Sequence, residues 1–115
     1  MRFINLTPHA LNVKAVSGNF VTILPDADGP ARVIYDQLPP EQIRVGNFDS
    51  FEVTVAGSPR EIANLPDPQP NIIFVVAKAV ADAAPRHRGD LMSPGRLIRD
   101  EDGKVIGCDG LTRRA

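Results

Sequence analysis

The sequence has no tryptophan, one cysteine, and only six aromatic residues in 115. A lone cysteine cannot form an intramolecular disulfide, and with two histidines it makes no metal-ligand cluster. The sequence therefore predicts no metal site, no cofactor and a reducing compartment. Sparse aromatics disfavour a platform for single-stranded nucleic acid, although Tyr35 or Phe48 could stack on a single base.

The sequence also lacks excess charge and long hydrophobic runs. Thirteen basic and fourteen acidic residues give a net charge of −1, which disfavours binding to duplex DNA. The longest apolar run, residues 72–77, is far shorter than the ~20 residues that span a bilayer. Asn5 and Pro8 interrupt the first apolar stretch, so it does not resemble a signal peptide. We expect a cytoplasmic protein that contacts no membrane.

Proline and glycine are abundant, with 11 and 9 residues, and they divide the chain into short segments. The length predicts one compact domain over residues 1–115, with a frayed tail at 111–115. Runs rich in β-branched and aromatic residues predict strands, and Asp-Gly at 102–103 predicts a hairpin turn. The strand candidates are residues 1–6, 10–16, 20–24, 32–35, 50–55, 71–76, 96–99 and 104–108.

Residues 77–84 form the one stretch favourable for a helix, and Pro85 ends it. A single helix over residues 71–84 is the alternative to a strand followed by a helix. Residues 38–42, with Pro39-Pro40, fit either a helical turn or an extended edge. We predict an α+β, β-rich fold of seven or eight short, mostly antiparallel strands with one short helix.

The C-terminal part of the chain holds the candidate binding residues. Residues 1–85 carry a balance of −3, whereas residues 86–115 carry seven basic and five acidic residues, a balance of +2. Arginine side chains suit phosphate or carboxylate recognition, and neighbouring glycines let a ligand approach the backbone. A histidine or asparagine in a turn can orient such a ligand. The predicted ligand-binding residues are His9, Asn71, Arg86, Arg88, Arg96 and Arg99.

Each candidate also has a structural interpretation. The arginines suit solvated ion pairs with Asp90 or the acidic 100–102 turn, and His9 suits a turn cap. Cys108 has no evident neighbour that would lower its pKa, so we interpret it as a small buried hydrophobic residue instead of a nucleophile. We predict no catalytic residues.

Four sequence blocks resemble a family of small proteins found in phages, prophages and actinobacterial genomes. They are NLTPHALNV (5–13), LPDPQPNIIFVVAKAVADAAP (65–85), RHRGDLMSPG (86–95) and RDEDGKVIGCDGL (99–111). They cover both ends of the chain and carry no catalytic assignment. The resemblance implies an accessory role in the cytoplasm of a bacterial host. Small β-rich phage proteins include some that sequester nucleotide immune signals and others that inhibit a host protein.

These observations give three functional hypotheses. The first is non-catalytic binding of a small phosphorylated ligand, such as a nucleotide signal in anti-defence. The second is inhibition of a host protein by surface contact, which would use an exposed apolar patch. The third is a small hydrolase that uses His9 with an aspartate. Residues 97–98 and 105–106 are apolar on both strand faces, which predicts a homo-oligomer.

Overall fold

The computed structural model describes residues 1–47 and 49–114. It contains one short helix, α1 (Lys78–Ala83). Within the described residues, this helix falls well short of what is needed to cross a membrane. The described strands are β1 (Arg2–Asn5), β2 (Leu11–Lys14), β3 (Phe20–Ile23), β4 (Arg32–Val45), β5 (Asp49–Ala63), β6 (Ile72–Val75), β7 (Leu91–Arg99) and β8 (Val105–Thr112).

Six strands form a nearly closed sheet in the order β1-β6-β7-β8-β2-β3. The pairs β1–β6, β6–β7 and β2–β8 are parallel, and the pairs β7–β8 and β2–β3 are antiparallel. The two edge strands, β1 and β3, approach each other just after the end of β3. There the Asp26 amide donates a hydrogen bond to the Asn5 carbonyl at 2.8 Å. We refer to this six-stranded unit as the barrel.

The core lies where β6 and α1 meet the end of β1. Leu6, Phe74, Val76, Val80 and Leu91 are at most 4% exposed and form one cluster. The apolar sequence at 72–76 supplies both faces of β6, as expected for a strand covered on both sides. Burial of these side chains is the main favourable term in folding this part of the chain.

The helix is short, and the C-terminal segment reinforces it. A Lys78–Asp82 ion pair of 2.6 Å spans one turn on its exposed side. The Arg114 guanidinium donates to the carbonyls of Ala81, Asp82 and Pro85 at 2.9–3.2 Å. These carbonyls belong to the helix end and its exit, where intrahelical partners are missing. Residues 111–112 belong to β8, so the tail expected to fray is held up to Arg114.

Strands β4 and β5 pair only with each other and form a long antiparallel ribbon. At its base, Val33 and Ile62 pack against the core cluster. The rest of the ribbon extends away and is almost entirely exposed. It gives the molecule extents of 57 × 40 × 28 Å and a radius of gyration of 17.8 Å. A compact chain of this length has a radius of gyration of about 13 Å.

The predicted fold is confirmed in its coarse features and corrected in others. The chain is β-rich with one short helix, and residues 71–84 divide into β6 and α1 instead of forming one helix. The prediction of short, mostly antiparallel strands is matched only in part, because three pairings of the barrel are parallel and two strands are long.

Residues 38–42 take the extended alternative, since Pro39 and Pro40 lie within β4. The strand predicted at 50–55 runs on through residues 57–59 to Ala63. Register shifts beside these segments absorb the irregularity. A proline is tolerated here because the ribbon has no third strand that would need its missing amide.

Candidate functional site

Arg88 forms the most buried ion pair among the described residues. Its Nε donates to Asp90 Oδ1 at 2.9 Å and its Nη2 to Asp90 Oδ2 at 3.0 Å. The two side chains are 8% and 14% exposed. Arg88 Nη2 also donates to the Pro66 carbonyl at 2.8 Å, which ties residues 64–70, with prolines at 66, 68 and 70, to the loop before β7. The hydrogen bond from Arg88 lowers the pKa of the Asp90 carboxyl below its ordinary value, against a smaller opposing effect of burial.

His9 lies in the turn after β1, where its backbone carbonyl accepts two side-chain hydrogen bonds. The His9 carbonyl accepts hydrogen bonds from Asn5 Nδ2 at 2.9 Å and Thr7 Oγ1 at 3.0 Å, and the residue is exposed. Asn5 is 1% exposed, and its Nδ2 also donates a hydrogen bond to the Ile23 carbonyl at 2.9 Å. Its Oδ1 accepts from the amide and the hydroxyl of Thr7. This asparagine, which sequence reasoning did not single out, joins β1 to the end of β3.

The other predicted residues are dispersed. Asn71 precedes β6 with a φ of 60°, and its carbonyl accepts from the Arg2 amide at 2.7 Å. Arg86 is exposed in the loop after α1. Arg96, with an 86% exposed side chain, lies 3.8 Å from Asp109. Arg99 donates to the Gly103 carbonyl at 2.8 Å and so fastens the β7–β8 turn.

The structure does not bring the four arginines to one place. Arg86 and Arg88 precede β7, whereas Arg99 ends it. Nine residues of extended strand span on the order of 25 Å, so these two groups lie near opposite ends of β7. A different pair of cations lies on the sheet itself. Both Lys14 and Arg96 stand opposite Asp109 in the strand register, and they are therefore about 10 Å apart across β8.

An apolar groove lies on the barrel where β2, β7 and β8 meet. It has a volume of about 220 Å³ and its lining includes Leu11, Pro94, Leu97, Val105, Ile106 and Cys108. Leu97, Val105 and Ile106 are 54%, 43% and 41% exposed. We call this surface the barrel groove. Cys108 is 3% exposed at the groove, in agreement with its interpretation as a buried hydrophobic residue.

The second apolar surface is one side of the ribbon. Directly opposed residues of an antiparallel pair share a face, and Ile43 opposes Phe51 while Leu38 opposes Val55. The other side is polar, with Arg44 opposite Ser50 and Gln42 opposite Glu52. We call this mainly apolar side the ribbon face; it carries Leu38, Ile43, Val45, Phe51, Val53 and Val55. The register also places Glu41 on it, opposite Val53, and Asp49, opposite Val45. The sequence indicated the β5 half of this face, because Phe51, Val53 and Val55 alternate with polar residues. The corresponding signal for the β4 half is the spacing of Ile43 and Val45.

Two arrangements were considered among the described residues, a His9–carboxylate pair and a metal-ligand group. Within residues 1–47 and 49–114, no hydrogen bond joins the His9 ring to a carboxylate. No group of three His, Cys, Asp or Glu side chains in that part of the chain could hold a metal ion. Of the two aromatics considered for base stacking, Tyr35 is 40% exposed in β4, and Phe48 lies outside the described residues.

The chain was compared with known protein families, curated proteins and solved structures. No protein-family model, curated protein or solved structure matches it.

Proposed function

We propose that this protein is a non-catalytic binding protein that acts by stoichiometric contact with another protein through the ribbon face. The observation that carries the proposal is the exposure of that face. Phe51 is 66% exposed, Ile43 52% and Leu38 49%, all on one side of a ribbon whose other side is polar. Contiguous exposed apolar surface with polar surroundings is typical of protein interaction sites.

The geometry of the ribbon supports binding as its role. An isolated two-stranded ribbon is marginally stable in water, and it needs packing against one face to become rigid. A partner protein that covers the ribbon face supplies that packing. Aromatic anchors contribute strongly at protein interfaces, which makes Phe51 the residue expected to matter most. An accessory protein of the phage and actinobacterial family that the sequence resembles would use such a surface to inhibit or assemble.

The proposal is tested by affinity capture with a matched pair of variants. Phe51→Glu places a charge on the ribbon face, and Thr54→Glu places the same charge on the exposed polar side of the same strand. Two differently tagged copies of the protein are co-expressed in bacterial cells, so that capture of a second copy is counted as well as capture of foreign proteins. Proteins retained by the wild type and Thr54→Glu but lost from Phe51→Glu support the proposal. An identical captured set for all three contradicts it.

A second candidate is binding of a small phosphorylated ligand, such as a nucleotide signal, with sequestration as the outcome. The observation that favours it is the pair of cations, Lys14 and Arg96, that flanks Asp109 on the barrel surface. Arg96 keeps an 86% exposed side chain and a long 3.8 Å contact, so its guanidinium is available to a phosphate. His9, Asn71 and Arg99 would then act only as more distant contributors.

Thermal-shift screening with cyclic and ADP-ribose-type nucleotides tests this second candidate. A ligand that raises the melting temperature of the wild type, but not of Arg96→Ala, supports it. Arg86→Ala serves as the control, because it also removes one exposed arginine but away from Lys14. If no ligand shifts the melting temperature, or if Arg96→Ala leaves a measured affinity unchanged, the candidate fails.

A further inference from the structure

The ribbon face and the barrel groove are two of the apolar surfaces that the described part of the chain leaves uncovered; another lies on the barrel beside Phe3 and Val21. We infer that the ribbon face of one copy packs on the barrel groove of a second copy, and that the second copy's ribbon does the same in return. The inference rests on the proposed function, in which the ribbon face binds a protein, and it identifies that protein as a second copy of this chain. The occupant of the barrel groove is therefore a segment of this same chain.

The exposure of both surfaces is the first argument. Phe51 and Ile43 on the ribbon, and Leu97 and Val105 at the groove, are each between 43% and 66% exposed. Large contiguous apolar patches are rare on monomeric proteins. The free part of the ribbon extends away from the barrel and gives the molecule its 57 Å length. An arm of this kind and an uncovered apolar groove are what remains when one subunit of an arm-exchanged dimer is viewed alone.

The area that each contact can bury is the second argument, and it favours reciprocity. Residues 35–45 and 49–59 form a free ribbon on the order of 35 Å long and about 10 Å wide. One face of it offers roughly 350 Å², whereas a stable interface buries about 800 Å² on each partner. The area that a single docked ribbon buries is thus too small for a stable interface. A two-fold arrangement makes each subunit contribute both its ribbon and its groove, which raises the area to roughly 700 Å² per partner.

Charge separates this arrangement from the other symmetric one, in which two ribbons stack face to face. Residues 32–63 carry three basic and five acidic residues, a balance of −2. The remaining residues carry ten basic and nine acidic, a balance of +1. Stacked ribbons would bring −2 against −2. A ribbon on the barrel groove instead meets β2, β7, β8 and the 100–104 turn, which carry four basic and four acidic residues, a balance of 0. Exposed charges are screened by salt, so this is a bias and not the main driving force.

The size of the barrel groove fits a side chain better than a free small molecule. Small-molecule pockets usually have volumes of roughly 300–1,000 Å³. The barrel groove has about 220 Å³ and is open. Insertion of a large apolar side chain such as Phe51, the most exposed residue of the ribbon face, would fill it.

The test measures molar mass by size-exclusion chromatography with light scattering at ~100 µM for the wild type and three variants. Phe51→Glu alters the ribbon face, Leu97→Glu alters the barrel groove, and Thr54→Glu is the control on the polar side of the ribbon. We expect the mass of two chains for the wild type and Thr54→Glu, and of one chain for Phe51→Glu and for Leu97→Glu. Circular dichroism verifies that each variant is folded. A dimeric Leu97→Glu would overturn the groove as the docking site.

A second measurement keeps the inference testable if a charged variant does not fold. A photo-crosslinking phenylalanine analogue at position 51 is irradiated, and mass spectrometry locates the cross-link in the dimer band. Cross-links to residues 94–108 of another copy support the inference, and cross-links to residues 35–59 indicate stacked ribbons and overturn it. A wild-type protein that is monomeric at this concentration also overturns it. The proposed function then still stands or falls on capture of a foreign protein by the ribbon face.

Discussion

Asn5 is the residue whose side chain does most to join distant parts of the barrel. All four hydrogen-bonding positions of its amide are used, two as donors and two as acceptors, and the residue is 1% exposed. Removing this amide would take away the partners that it provides to the Thr7 amide and the Ile23 carbonyl, whereas the Thr7 hydroxyl and the His9 carbonyl keep their hydrogen bond to each other. A lost buried partner costs about 1–3 kcal/mol, so the sum of effects here is substantial.

We therefore expect Asn5→Ala to lower the free energy of unfolding by about 2–4 kcal/mol in urea titrations. Asn12→Ala is the matched control, because the Asn12 amide makes two exposed hydrogen bonds, to Ile106 and Thr22. The control should cost less than about 1 kcal/mol. Equal destabilisation by the two variants would show that the Asn5 network does not hold β1 to β3.

The Arg88–Asp90 pair gives stability that depends on pH. The folded pKa of Asp90 is lowered by Arg88, so between the folded and unfolded pKa values the unfolded chain binds more protons. The contribution is fully present above the unfolded pKa of about 3.9 and is lost as the pH falls through the folded pKa. Asp90→Asn also leaves the buried Arg88 charge without its counter-ion, which costs on the order of 2–4 kcal/mol.

We expect the difference in unfolding free energy between the wild type and Asp90→Asn to be constant above about pH 5 and to shrink below about pH 4. Chemical denaturation across pH 3–8 measures it. Asp82→Asn is the control, because its ion pair with Lys78 is exposed and should contribute little at any pH. A difference that grows as the pH falls would contradict the lowered pKa of Asp90.

At the scale of elements, the close approach of strands within the barrel depends on glycine. A Cβ atom at Gly107 in β8 would lie 2.5 Å from the Asn12 carbonyl oxygen and 2.8 Å from Phe20 Cε1. Backbone of β2 therefore has to move if any side chain is introduced there. This contact sits beside the barrel groove, so Gly107 also helps to set the shape of its floor.

Gly107→Ala should lower the melting temperature by several degrees, in line with the about 1–3 kcal/mol cost of overpacking. Gly89→Ala is the control, since a Cβ there meets nothing within 4 Å. Differential scanning calorimetry compares the two variants. An unchanged melting temperature for Gly107→Ala would mean that β2 and β8 separate at little cost.

The long strands of the ribbon show where element prediction from the sequence was limited. The alternation of Phe51, Val53 and Val55 with polar residues predicted a half-buried strand. The strand exists, but the ribbon packs against the rest of the chain only at its base, through Val33 and Ile62. From the sequence, residues 38–42 fitted either a helical turn or an extended edge, and the strand at 50–55 ended before residues 57–59, because a proline lacks the amide that a central strand donates. A free two-stranded ribbon lacks that requirement, and this property follows from its position in the fold and not from its local sequence.

At the scale of the whole molecule, reciprocal exchange of ribbons predicts stability that depends on protein concentration. Association favours the folded state by mass action, so the melting temperature should rise by a few degrees between ~1 and ~100 µM protein. Phe51→Glu should melt at the same temperature at both concentrations. Scanning calorimetry or circular dichroism measures both proteins. A concentration-independent wild type would argue against a ribbon that is shared between two copies.

The sequence by itself determined the β-rich character and the Asp-Gly turn between β7 and β8. These follow from local rules, because side-chain alternation, helix propensity and turn chemistry act over a few neighbouring residues. The sequence also separated an acidic body from a basic C-terminal segment. Local patterns sufficed for all of these features.

Only the tertiary structure decided which strands pair, in which direction, and which charged groups meet. Parallel pairs such as β1–β6 join residues about 70 positions apart, and no local pattern encodes such a partner. The partner of Arg88 was likewise decided by the fold. Its sequence context suggested a ligand, but its guanidinium donates hydrogen bonds to the Asp90 carboxylate and the Pro66 carbonyl. The apolar ribbon is the reverse case: its alternation predicted burial, and the fold left most of it exposed because it pairs with no third strand and packs on the core only at its base.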